Sequence, residues 1–281
     1  MRSKSSKPAA ILAMAAVTLL LIPSVARAIV YGFEDISNAF PNTGAFIVKS
    51  PTTGDIFPIC SGTLISPTVF LTASHCTAFF EQDLAPQGYT AFVSFDNPIP
   101  FGDLTTNHTR LIPVTQVVTN PGYNQSQSDP GDIAVLLVSA RDTRGITPAA
   151  LPPAGLLDQL SAQNGLQSAR FTPVGYGLQN RVNGGGPPFF QDRNPVPRMF
   201  ASSGFNSLNQ AFLRLSQNPS NGNGGTCFGD SGGPNFFNHN GGTVVAAITI
   251  TGDSVCRSTN VTYRLDIAPS RNFLAPFVTL P

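Results

Sequence analysis

An all-β fold is predicted by three observations. Short apolar and β-branched runs recur along the chain, as in Thr68–Ala73, Ile133–Val138 and Thr243–Thr251, each of a length that suits a strand. Turn formers separate them: the chain has 26 Gly and 25 Pro, with many Asn and Ser between the runs. No stretch carries the period of a long amphipathic helix, and no segment repeats. With 281 residues, 41% of them hydrophobic, the chain has enough material for one large or two modest cores without a metal to hold them.

The amino terminus reads as a targeting segment. Arg2, Lys4 and Lys7 form a basic start, and Ala9 to Ile22 is apolar apart from Thr18. Pro23 and Ser24 break the run, and Ala26-Arg27-Ala28 places small residues where a signal peptidase reads. The run is about 14 residues, short of the roughly 20 that span a bilayer. Cleavage after Ala28 makes Ile29-Val30-Tyr31-Gly32 the mature start; a shorter signal followed by activation after Arg27 is the alternative. Export implies a secreted, extracellular or periplasmic protein in an oxidising compartment.

Beyond it, Ala45–Val48 and Ser61–Ile65 read as early strands, and Thr68–Ala73 as a strand leading into His75. The Pro-, Asn- and Phe-rich segment from Phe79 to Pro113 has no clear pattern. Leu111–Val114 and Gln116–Val118 follow, then an Asn120–Asn124 turn. Asp132 opens Ile133–Val138, an apolar run typical of a strand buried on both faces. Thr143–Gly155, rich in Pro and Ala, reads as a crossover. Phe171–Gly177, Gln210–Leu215, Thr243–Thr251 and Asn260–Leu265 are the later strands, with a loop over Arg181–Pro197. The tail from Asp266 has room for a short helix, limited by Pro269 and Pro276.

Only 11% of residues are charged and the formal net charge is +1, which gives no handle for nucleic acid or a membrane surface. No His/Cys cluster has metal-ligand spacing and no glycine-rich phosphate loop stands out, so no cofactor and no metal are expected. Sequons stand at Asn107, Asn124 and Asn260.

Chemistry concentrates in Cys227-Phe228-Gly229-Asp230-Ser231-Gly232-Gly233-Pro234. Glycines let the backbone turn at positive φ and approach a ligand closely. A serine on such a turn can sit beside N–H groups aimed at a substrate carbonyl. An alcohol needs an adjacent base to attack at neutral pH, and a histidine needs a carboxylate to fix its tautomer. His75, in Leu71–Cys76, is the candidate base; His108 and His239 lie in polar loops. Asp132 is the candidate carboxylate, with Asp129 its rival across Pro130-Gly131.

With these residues the sequence resembles the trypsin/chymotrypsin-like serine proteases, whose chain order is also His, Asp, Ser. The resemblance covers nearly the whole mature chain. It implies two packed six-stranded antiparallel β-barrels with a short C-terminal helix. The barrels would span residues 29–148, carrying His75 and Asp132, and 149–281, carrying Ser231, after a signal peptide over 1–28. It implies an oxyanion hole from the N–H groups of Gly229 and Ser231. The free amine of Ile29 would pair with Asp230 and order the substrate pocket. Four cysteines allow three pairings; spacing favours Cys60–Cys76 and Cys227–Cys256, which the resemblance also implies. Protein or peptide substrates, possible protein inhibitors and a monomer complete the expectation.

The aspartate that selects Arg or Lys in trypsin-like members is here Gly225, followed by Thr226. Gly252 and Val261 are expected to border and narrow the pocket, and Asp253 to lie near its rim. These residues suit a small or medium apolar side chain. The family's Ser-Trp-Gly strand reads Thr249-Ile250-Thr251-Gly252, which puts Ile250 in the serine position, with Thr249 or Thr251 as substitutes after a one-residue slip. Two other readings remain: a catalytically silent binding protein on the same scaffold, and an esterase or toxin-like specialist using the same triad.

Overall fold

The computed structural model describes residues 29–100, 102, 109–124, 126–182, 189–191 and 194–281. The expected signal peptide, His108, Asn107 and parts of the Phe79–Pro113 and Arg181–Pro197 segments lie outside them. A short strand β1 (Phe33–Glu34) precedes the first barrel. That barrel is built from β2 (Thr43–Lys49), β3 (Ile56–Ser66), β4 (Val69–Thr72), β5 (Thr90–Ser94), β6 (Ile112–Thr119) and β7 (Ala134–Val138). The strands run antiparallel in the order β2-β3-β4-β7-β6-β5, and β5 returns to β2 to close the sheet. Closure leaves no edge strand unpaired. The barrel is filled by Phe46, Leu64, Phe70, Leu71, Val93 and Val135 among others, all fully buried.

After β4 the chain turns into α1 (Ser74–Phe79), continued by one π turn (Phe80–Leu84) and one 3-10 turn (Ala85–Gln87). This helical stretch was not anticipated from the sequence. Pro86 stands in the first turn of its last piece and Gly88 closes it at φ +86°, a left-handed position that favours glycine.

Between β7 and the second barrel lies α2 (Leu156–Ala162), which buries Leu156 and Leu157. The second barrel comprises β8 (Arg170–Gly175), β12 (Ser203–Leu208), β13 (Phe212–Ser216), β14 (Pro234–His239), β15 (Gly242–Gly252) and β16 (Thr259–Arg264). Its order is β8-β12-β13-β16-β15-β14, closed by pairing of β14 with β8. A hairpin of β9 (Gln179–Val182) and β10 (Phe189–Gln191) stands beside it, and β11 (Met199–Phe200) joins β1 to β8. The tail forms α3 (Ala268–Leu274), which opens with Pro269 in its first turn. Two closed antiparallel barrels of six strands and a short C-terminal helix are the fold expected from the sequence.

One polar knot ties the barrels together. Arg198 and Asp35 are fully buried and paired at 2.8 Å. The same guanidinium donates to the carbonyl of Thr43 on β2, to Phe95 O and to the Tyr176 hydroxyl. The Tyr176 hydroxyl donates to Asp96 O at 2.9 Å. Burial pushes that hydroxyl up to about 12 despite the adjacent guanidinium, so it stays a donor.

Candidate active site

The pairing of β4 with β7 sets Thr72 opposite Ala134. His75 follows the first strand by one turn, and Asp132 lies two residues before the second, so the register brings them together. Asp132 Oδ1 accepts the His75 backbone N–H at 2.9 Å, and Asp132 Oδ2 lies 2.8 Å from His75 Nδ1. Asp132 is buried, while about a third of the His75 side chain (32%) remains open to the cleft. Ser74 braces the pair: its hydroxyl donates to Ile133 O at 2.7 Å and accepts from Asn120 N. The rival Asp129 is occupied elsewhere, accepting from the Tyr263 hydroxyl at 2.7 Å and from Gly131 N. His239 lies at the far end of the β14–β15 hairpin, beside Asn240.

Ser231 lies on the turn that enters β14. Gly229 (φ +91°) and Gly232 (φ +79°) supply the left-handed bends. A Cβ on Gly232 would collide with Thr72 Oγ1, so the turn fits flush against the end of β4, just before His75. Across the barrels, Ser61 N donates to Ser231 O at 2.9 Å, and Cys76 Sγ lies 4.0 Å from the same oxygen. Among the described residues no hydrogen bond links the imidazole to the Ser231 hydroxyl. Such bonds are often long in free enzymes and tighten when substrate arrives.

The loop around Ser231 is held by its other groups. Leu178 N donates to Phe228 O at 2.7 Å, Asp230 N to Cys227 O, and the Ser61 hydroxyl to Gly229 O at 3.0 Å. Among the described residues nothing accepts from the N–H of Gly229 or of Ser231, so two donors are left for a ligand. The disulfides are Cys60–Cys76 and Cys227–Cys256, the pairing favoured by spacing. Cys60, His75 and Cys76 cluster within metal-binding reach, but both sulfurs are spent in the disulfide.

Asp230 is fully buried and accepts from Gly177 N and Cys227 N, each at 2.8 Å. Burial pushes its carboxyl up to about 7 against those two hydrogen bonds. Ile29 is also fully buried, beside Met199 and Ala201, while Val30 packs with Leu178 and the Cys227–Cys256 bridge. Val30 O accepts from Gly225 N at 2.9 Å. The segment that begins at Ile29 therefore lies along the loops that hold Asp230.

A hollow of about 260 Å³ opens beside Ser231, lined by Thr226, Phe228, Ile250, Thr251, Gly252, Asp253 and the Cys227–Cys256 bridge. Gly225 does not line it. The Gln217 side chain fills the space where a Gly225 side chain would stand, and accepts from Thr226 N. Val261 borders a second hollow of about 460 Å³, which His75, Asp132, Phe212 and Arg214 also line. Ile250 and Thr251 belong to both walls. Asp253 is not free at the rim. Partial burial works against its charge, but N–H groups of Arg257, Thr259 and Ser258 and the Gln217 amide outweigh it and hold the carboxyl below its usual range.

The slip weighed from the sequence does not occur at Thr249. Its hydroxyl accepts from the amides of Asn235 and Asn260 in the interior, and Ile250 faces the hollows. Asn260 itself is fully buried, which removes that sequon from any modifying enzyme in the folded state. Ser61, Gln217 and Arg214 were not singled out from the sequence. Ser61 carries a faint signal, its position directly after the bridging Cys60.

The family model for trypsin matches residues 29–270, most of the chain and both barrels. The chain belongs to the trypsin family of serine proteases.

Proposed function

We propose that the mature chain is a secreted, monomeric serine endopeptidase acting through an acyl-enzyme. Supporting this above all is the doubly bonded His75–Asp132 pair beside a serine on a glycine turn with two unclaimed N–H groups. Ser231 Oγ attacks the scissile carbonyl carbon as His75 Nε2 takes its proton. The resulting oxyanion accepts from Gly229 and Ser231 N–H, a contribution of about 2.7–4 kcal/mol per donor. Asp132 fixes Nδ1–H toward itself and stabilises the imidazolium without taking the proton. His75 then protonates the leaving amine. Water enters, gives its proton to His75, attacks the ester, and the acid product and free Ser231 are regenerated.

The residue before the cut is small or medium and apolar. The Ser231 hollow has no unpaired carboxylate among its lining residues, and leaving a basic side chain unpaired there is costly. Activity further requires the Ile29 amine to be freed and to pair with Asp230. All three reacting residues are present, which disfavours the binding-protein reading.

Digesting a peptide library with the purified mature protein tests this reading. Cleavage clustered after Val, Ala, Leu or Met, and absent from Ser231→Ala, is expected. Cuts that persist in Ser231→Ala would remove the proposal.

A further inference from the structure

The second hollow contains a cation that pairs with no carboxylate among the described residues. Arg214, on β13, lines it and is half-buried, its guanidinium carbon 5.4 Å from the centre of the Phe212 ring. Among the described residues no carboxylate lies within ion-pair reach of Arg214. The acidic groups nearby are committed: Asp132 to His75, and Asp129 to the Tyr263 hydroxyl and Gly131 N. A guanidinium offers a planar fork of donors that matches a carboxylate in a two-point contact. The aromatic face limits its motion, so less freedom is lost when that contact forms.

The position of the hollow says where such a carboxylate would come from. Ile250 and Thr251 form the wall shared with the Ser231 hollow. A peptide with one side chain beside Ser231 therefore lays a neighbouring residue over the second hollow, on the His75 side. At about 460 Å³ the space admits an Asp or Glu side chain with water to spare. Apart from the His75–Asp132 pair, its remaining polar lining, Tyr123, Ser126, Gln127 and Thr251, is uncharged.

We propose that this hollow is an acid-selective subsite in which Arg214 pairs with an Asp or Glu of the substrate, close in sequence to the apolar residue at the cut. The inference rests on the peptidase reading above. It makes Arg214 a specificity residue that takes no part in the bond-making steps.

Matched fluorogenic peptides test it. They share one apolar residue at the cut and carry Glu, Gln or Lys at each of the four preceding positions in turn. Wild type, Arg214→Met and Arg214→Glu are compared by the Glu/Gln and Lys/Gln ratios of kcat/KM. Ratios within one enzyme cancel any loss of folded protein. Wild type should favour Glu over Gln about tenfold at one position, less at high salt. Arg214→Met should bring that ratio to about one, and Arg214→Glu should favour Lys there. A Glu/Gln ratio near one in wild type, or one that Arg214→Met leaves unchanged, overturns the inference and leaves the peptidase reading intact. No hydrolysis by wild type of any peptide or of a small activated ester would overturn both.

Discussion

The Ser61 hydroxyl donates to the carbonyl of Gly229 across the two barrels, at 3.0 Å. Ser61 Oγ in turn accepts from Tyr176 N at 2.9 Å. One side chain of β3 thus positions both the peptide before Asp230 and the segment after β8 whose Gly177 N–H bonds Asp230. Ser61→Ala leaves a buried N–H and a carbonyl without this partner, which costs about 1–3 kcal/mol. We expect kcat to fall about tenfold or more with a smaller change in KM, because the Gly229 N–H loses its aim while the Ser231 hollow keeps its shape. Steady-state kinetics on an apolar peptide checks this. A pure KM effect would contradict it.

Stability of the uncleaved chain should fall as pH rises from about 4 to about 7. Asp230 keeps a proton in the folded state up to about 7, whereas the unfolded chain releases it near 3.8. The folded state therefore binds more protons in that window, and its stability is full below the window and least above it. The shift corresponds to about 4 kcal/mol, an upper figure for a fully buried group. On the pairing proposed above, freeing the Ile29 amine should supply a countercharge and remove most of the decline. Denaturation midpoints of mature protein and of a variant retaining residues ahead of Ile29, compared at pH 4.5 and 7.5, check the difference. Equal slopes in the two forms would argue against the pairing.

Basic side chains should be poor substrates at the cut site. The one carboxylate in the wall of the Ser231 hollow, Asp253, is already used by three N–H groups and the Gln217 amide. Gly225 is covered by Gln217. A Val or Ala substrate should exceed its Arg counterpart in kcat/KM by about tenfold. An Arg substrate cleaved tenfold faster would show that Asp253 is free in solution.

The Arg198–Asp35 pair should be costly to break and cheap to replace. Both side chains are fully buried. Arg198→Ala strands Asp35 in the interior and should lose about 3–5 kcal/mol. The double variant Arg198→Met/Asp35→Leu should recover much of that loss, read as urea midpoints. A single variant as stable as the double would mean the pair carries little strain between its members.

Most strands and the catalytic candidates were legible because each has a local signature, but β5, β12 and β14 were not read from the sequence. Ile133–Val138 is unbroken apolar sequence, and its Ala134–Val138 becomes β7, almost wholly buried. His75, Asp132 and Ser231 stand in motifs whose neighbours carry as much information as they do. What was not legible depends on distant partners. Nothing beside Arg198 announces Asp35, separated by 163 residues, and nothing beside Gln217 shows that it fills the space behind Gly225. Helix α2 is seven residues long, too short to display a period. Val261 was expected at the base of the Ser231 hollow but faces the second hollow, because a bulge between Thr249 and Thr251 resets the β15–β16 register just there.

The most direct test is covalent labelling of the mature protein with a fluorophosphonate, followed by peptide mapping. Attack by an activated hydroxyl predicts one adduct, on Ser231, lost in Ser231→Ala and slowed by orders of magnitude in His75→Ala. An unlabelled wild-type protein with its barrels folded, or an adduct that forms as fast without His75, would contradict it.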